Sequence, residues 1–187
     1  MTEDREQKTD FPSSVLNPPP SGLRHLFFWP IFAGGVALDL WTKHAVFNLL
    51  KDLGRTGLTI IDGFLRLQWA ENPGAAFGLA AGQRWLLVAV SVVALAVVIA
   101  VFLFAGINRK IVQLALALFS AGVSGNLYDR LFNNGLVRDF IDVVYWPGKH
   151  WPAFNVADSL LCVAVALLII SGFPTRQSSQ IHPQPQK

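Results

Sequence analysis

The sequence predicts a mainly α, polytopic membrane protein with four transmembrane helices and a small extracytoplasmic β-sheet. Three observations predict it. Four long segments are apolar, the composition is 52% hydrophobic with only 14% charged residues, and the acidic residues beyond the N-terminal tail gather at one end of those segments. A soluble domain carries about 25% charged residues, so a bilayer is the solvent this composition fits.

Crossing roughly 30 Å of hydrocarbon takes about 20 helical residues, because each adds about 1.5 Å of rise. The clearest span is 85–105, which contains no charge, followed after Gly106-Ile107-Asn108-Arg109-Lys110 by a second at about 111–128. So short a connection predicts an antiparallel hairpin. The other two spans are about 26–43, with Asp39 near its far end, and about 154–173, with Asp158 near its beginning. Together they define a membrane domain over 25–173.

Residues 1–24 are polar and include Pro18-Pro19-Pro20, a composition that buries too little apolar surface to order itself. A disordered cytoplasmic tail is expected there, and a second tail over 174–187. No small-residue cleavage site follows the first span, so it is expected to remain as an anchor. Four crossings place both termini on one side, and the short Arg109-Lys110 loop marks that side as cytoplasmic by the positive-inside rule. The longer outer segments also hold basic residues, among them Lys51, Arg55, Arg66, Arg84, Arg130 and Lys149. The short loop is given more weight because the rule acts on short connections close to helix ends.

The two extracytoplasmic segments, about 44–84 and 129–153, differ in texture. Leu58, Ile60, Phe64, Leu65, Leu67 and Trp69, punctuated by Gly57 and Gly63, predict short strands and turns. The second segment opens on the turn signal Asn133-Asn134-Gly135 and ends among Tyr145, Trp146 and Trp151, rings suited to a membrane interface.

Several function classes are excluded early. The formal charge of +3 is small and its basic residues are dispersed, so no nucleic-acid partner is expected. Cys162 is the single cysteine and the four histidines are scattered without i, i+4 pairs, so neither a disulfide nor a zinc site is predicted, and no metal or other cofactor is expected.

The acids carry the chemistry. Of twelve, four lie in the N-terminal tail and eight lie at or beyond the outer ends of the helices. A carboxylate at the hydrocarbon edge costs on the order of 2.5 to 3.5 kcal/mol, so Asp39, Asp129 and Asp158 need partners or a task. Asp39 and Lys43 share a helical face at i, i+4, either as a local ion pair with a snorkelling lysine or as a substrate contact. Asn126, Asp129 and Arg130 share another face, and the adjacent guanidinium is expected to keep Asp129 ionised in a structural role. Asn155 and Asp158 form an i, i+3 pair at the start of the last helix, which admits simple helix capping as the alternative reading. Asp139 stands on the outer segment leading back to that helix. Two close carboxyls cannot both ionise, so one serves as base on a water while its protonated neighbour polarises a scissile carbonyl. An Asp139–Asp158 dyad of this kind needs no metal.

Five ordered blocks, Asp39-Leu-Trp-Thr-Lys43, Glu71-Asn-Pro-Gly-Ala-Ala-Phe-Gly78, Gly125-Asn-Leu-Tyr-Asp-Arg130, Val137-Arg-Asp-Phe140 and Phe154-Asn-Val-Ala-Asp158, resemble the motifs of the lipoprotein signal peptidase (signal peptidase II) family. The resemblance covers about 25–173. It implies an aspartic signal peptidase of the bacterial inner membrane that acts on diacylglyceryl-modified prolipoproteins and cuts before the lipidated cysteine. It places the catalytic carboxylates at Asp139 and Asp158, and makes Asp39, Lys43, Asn72, Asn126, Asp129, Arg130 and Asn155 site-shaping or substrate-binding positions. It also implies an active site at the outer face, a sheet that cradles it and a short amphipathic lid, in a chain expected to act as a monomer among membrane lipids. Asn72-Pro73-Gly74 predicts a tight turn, either presenting backbone groups to substrate or serving as ordinary surface.

Two rival readings stand against it. Gly122-Val-Ser-Gly125 resembles a rhomboid-like serine protease motif, yet no later span supplies a histidine base. A proton-coupled transporter subunit would also explain intramembrane acids, but the middle and inner halves of the predicted spans lack the charges a relay needs.

Overall fold

The structure, a computed structural model, describes residues 21–75 and 78–172. Four helices dominate it: α1 (Ser21–Asp52), α2 (Arg84–Phe104), α3 (Lys110–Phe132) and α4 (Val156–Gly172). Between them run β1 (Gly57–Ile61), β2 (Leu65–Asn72), β3 (Val137–Trp146) and β4 (Lys149–His150), forming one antiparallel sheet in the order β1-β2-β3-β4. The predicted tails fall outside the described residues except at 21–24, which are already helical. The short amphipathic lid falls partly outside the described residues, since 76 and 77, next to a helical position at Gly78, are not among them.

Helices α2 and α3 are long and apolar enough to cross a membrane, and α4 is a shorter apolar helix of 17 residues. The first helix runs 32 residues, well past the expected end near residue 43, so Asp39 is a mid-helix residue. Its extension is explained by Phe47 and Leu50, which continue the i, i+4, i+7 spacing from Lys43 and are buried like it. α3 packs against all three other helices, and it carries small buried residues, Ala115, Ala117, Ala121, Gly122 and Gly125, that let neighbours approach closely. Away from the sheet, Phe28 stacks on Phe102 at 3.9 Å between ring centroids, pinning α1 to α2.

The sheet places the acids. β1 and β2 are the strands expected from the alternating apolar residues, whereas β3 was not foreseen as a strand. Its register with β2 sets Ala70 opposite Asp139 and Asn72 opposite Val137. Beyond β4 the chain returns along β3: Phe140 N and Ile141 N donate to Phe154 O at 3.0 and 2.8 Å, and Phe154 N donates to Ile141 O at 3.1 Å. This bridge fixes Asn155, and with it the first turn of α4, beside Asp139.

Candidate active site

α4 begins with a reciprocal cap. Asp158 N donates to Asn155 Oδ1 at 3.0 Å, and Asn155 N donates to Asp158 Oδ2 at 3.2 Å, an arrangement that satisfies two backbone donors a helix start leaves free. Capping and a role in the site are therefore not alternatives for this pair. The other oxygen of Asp158, Oδ1, accepts from Asn126 Nδ2 at 2.8 Å. The Asn155 amide turns inward to donate to Asp139 Oδ1 at 2.7 Å and to Asn126 Oδ1 at 3.1 Å. Asn72 Nδ2 donates to Asp139 Oδ2 at 3.1 Å. Every carboxyl oxygen of Asp139 and Asp158 thus has a donor, and the two acids share Asn155 and the Asn126–Asn155 pair as their frame.

Behind this frame lies a chain of buried charge. Lys43 Nζ sits 2.7 Å from Asp39 and 3.3 Å from Asp129, and donates to Asn126 Oδ1 at 3.1 Å. Both carboxylates and the ammonium are fully buried, so the lysine does not snorkel. The long α1 and the packed α3 leave it no route to water, and two acids neutralise it in place. Asp39 also accepts from Ala157 N at 2.8 Å, on the opening turn of α4 where unpaired N–H groups favour an anion. Gly125 makes room for this contact, since a Cβ there would collide with the Asp39 carboxylate.

The expected Asp129–Arg130 pairing does not form. Asp129 is gripped instead by Arg138, through Nη2 at 2.6 Å and Nε at 3.1 Å to Oδ1 and backbone N at 2.9 Å to Oδ2. Adjacent residues on a helix diverge by about 100°, which turns Arg130 away from its neighbour. Arg130 Nη2 donates to Gly74 O at 3.0 Å, and Gly74 N donates to Asn72 Oδ1 at 2.9 Å. The Asn72-Pro73-Gly74 turn therefore uses these polar groups internally. All nine predicted site residues meet in one region. Arg138 and Gly125 belong to it too, although neither was expected there: Arg138 drew no reading of its own, and Gly125 was read within the serine-protease-like stretch.

The dyad opens into a cavity of about 1180 Å³. Asn72, Asn126, Arg130, Asp139 and Asp158 line its polar end, and Leu87, Val90, Ala94, Val123, Leu161 and Val163 line an apolar flank contributed by α2, α3 and α4. Such a shape suits a ligand with a reactive polar group and a long apolar body.

Asp139 holds its proton more firmly than an ordinary carboxyl, at about 6 against 3.8. Burial is the main cause and the nearby Asp158 charge the second, opposed by the Asn72 and Asn155 hydrogen bonds and by Lys43. The folded chain then carries a proton here that the unfolded chain releases near pH 4, so stability falls as pH rises from about 4 to about 6. Melting temperatures measured across that window are expected to decline in the wild type and to decline less in Asp139→Asn, which lacks the titration. An identical slope in both proteins would contradict this environment for Asp139.

The chain matches a family model described as signal peptidase (SPase) II over residues 31–174. It is 39% identical over 169 residues to a lipoprotein signal peptidase of Rhodopirellula baltica, covering 82% of this chain and 74% of that one. Identity to a lipoprotein signal peptidase of Geobacter sulfurreducens is 41% over 146 residues, covering 76% and 89%. The fold resembles a bacterial membrane enzyme solved by the in meso method at 2.3 Å resolution, with a TM-score of 0.67, 29% identity, and 80% and 87% of the two chains covered. A family match across most of the chain, at this identity and with this fold, means that the chain belongs to the signal peptidase II family of bacterial membrane proteases.

Proposed function

We propose that the chain is an aspartic endopeptidase that removes the signal peptide from diacylglyceryl-modified prolipoproteins, cutting before the lipidated cysteine, with Asp139 and Asp158 sharing one proton. The observation that carries the reading is the Asn155 bridge, which donates to Asp139 through its side chain and to Asp158 through its backbone. The ionised carboxylate takes a proton from an attacking water as the neutral one donates to the oxygen of the scissile carbonyl. Because the proton is shared, the working pKa values belong to the pair. Asn72 and Asn126 hold the carboxyl planes, and the Asp39–Lys43–Asp129 chain holds Asn126.

The cavity supports the substrate class. Its apolar flank can take acyl chains or a signal helix, and binding energy gained there orients the peptide bond at the polar end. In this reading all four helices cross the inner membrane, both termini are cytoplasmic, the site faces outward and the sheet cradles it. The domain spans 25–173, with the segments 44–84 and 129–153 outside.

The test is cleavage of a lipid-modified prolipoprotein by purified wild type, Asp139→Asn and Asp158→Asn in detergent. Full activity in either variant would refute the dyad. The serine alternative has less support: Ser124 Oγ is buried and has no hydrogen-bond partner, so no base activates it. Ser124→Ala is expected to keep activity within about 3-fold of wild type, because it removes a hydroxyl outside the proton path. Loss of cleavage with an intact fold would return the serine mechanism to consideration.

A further inference from the structure

We infer that Arg138 is a positioning residue for the dyad, fixing where β3 leaves α3 and so where Asp139 stands against Asp158; this rests on the dyad reading above. The chain reverses between α3 and β3 at Asn133–Leu136, where Leu136 N donates to Asn133 O at 2.8 Å and Asn134 and Gly135 take positive φ. Gly135 is further constrained because a Cβ there would press on the Arg84 side chain. The turn sets direction, and pairing with β2 holds the strand along one edge. Arg138 ties the same end of the strand to α3 by placing three donors, two from the guanidinium and one from its backbone, on the fully buried Asp129. A planar fork on a carboxylate fixes angle as well as distance. The next residue is Asp139, and Arg138 O accepts a weaker bond, at 3.4 Å, from the same Asn155 amide that holds Asp139.

Charge supplies a second, independent route. The buried acids Asp39 and Asp129 flank the single ammonium of Lys43, and Arg138 is the second cation that brings this group of four to neutrality. Arg130, the other cation nearby, donates to Gly74 O, and its charge acts more on Asp158 and Asp139 than on Asp129. Without Arg138, the unbalanced Asp129 pulls on Lys43, which lies 3.3 Å away and also holds Asn126, the donor to Asp158. Loss of one guanidinium thus reaches Asp139 through the backbone and Asp158 through Lys43 and Asn126. It also leaves net negative charge behind the dyad, which favours the protonated form of Asp139.

The experiment compares wild type, Arg138→Met and the double variant Asp129→Asn/Arg138→Gln, full length in detergent, with a lipid-modified prolipoprotein as substrate. Arg138→Met is expected to lower kcat about 100-fold, the order reached by a misplacement near 1 Å, while KM stays within about 3-fold. Its pH–kcat profile is expected to move to higher pH, a change that general loosening would not produce. If Arg138→Met does not fold, the double variant decides, because it leaves no unpaired buried charge: lowered kcat at unchanged KM supports the inference. Wild-type kcat and pH profile in whichever variant folds would overturn it. Asp139→Asn assayed in parallel separates the two claims, since an inactive Asp139→Asn beside a wild-type-like Arg138 variant sinks the positioning role alone, whereas an active Asp139→Asn sinks the dyad.

Discussion

Asp139→Asn and Asp158→Asn are each expected to lower kcat for prolipoprotein cleavage by about 10⁴-fold or more, the scale on which single members of a catalytic unit act. The argument is stereochemical and electrostatic together. An amide is nearly isosteric with a carboxyl and can keep contacts to Asn72, Asn126 and Asn155 with a flipped orientation, so the fold is retained. What it cannot do is take a proton from water or pass one to a leaving group. Substrate affinity is expected to change little, because most of the cavity wall is untouched. At pH 7 the melting temperature of Asp139→Asn should be no lower than that of wild type, since burial disfavours the ionised carboxylate that the substitution removes. The measurements are single-turnover cleavage and thermal unfolding on the same preparations. A variant that loses activity only in proportion to its unfolding would speak against catalysis by that residue.

Lys43→Met is expected to have the largest effect on stability. It deletes the one cation between two fully buried carboxylates, Asp39 and Asp129, and the donor to Asn126. Breaking one side of a buried ion pair costs about 3 to 5 kcal/mol, because the remaining charge is left without a partner or water. For a chain of this size the melting temperature is expected to fall on the order of 10 °C, with cleavage lost as well. Asp39→Asn/Lys43→Met should recover a substantial part of the stability, since Arg138 still neutralises Asp129. It should not recover activity, because Asn126 has still lost the lysine. Thermal unfolding of both variants decides the matter, and a Lys43→Met protein as stable as wild type would show that the lysine is not the keystone described here.

The apolar spans, the Asp39–Lys43 pair and the first two strands were legible in sequence because each rests on a local rule: run length, i, i+4 spacing or alternation. The convergence of Asp139 and Asp158 could be expected from chemistry and from the motif resemblance. Its geometry could not, because Asn155 is delivered by the bridge from Phe154 to Ile141, a long-range backbone contact. β3 escaped notice because Asp139 and Asp142, both buried, sit three apart and break a period of two. Sequence left Lys43 between a snorkelling ion pair and a substrate contact because its second carboxylate, Asp129, comes from a different helix. The grip of Arg138 on Asp129 spans nine residues and a turn, so sequence adjacency pointed to Arg130 instead.

On the four-crossing reading, α4 has a mechanical consequence. Asp158 lies in its first turn, within about 5 Å of the point where the helix begins. That beginning is closed by the reciprocal cap, so the helix does not extend past the carboxyl toward the outer face. A span that begins at its carboxyl carries that carboxyl at the headgroup layer, so the hydrolytic water reaches it without a polar channel through the hydrocarbon.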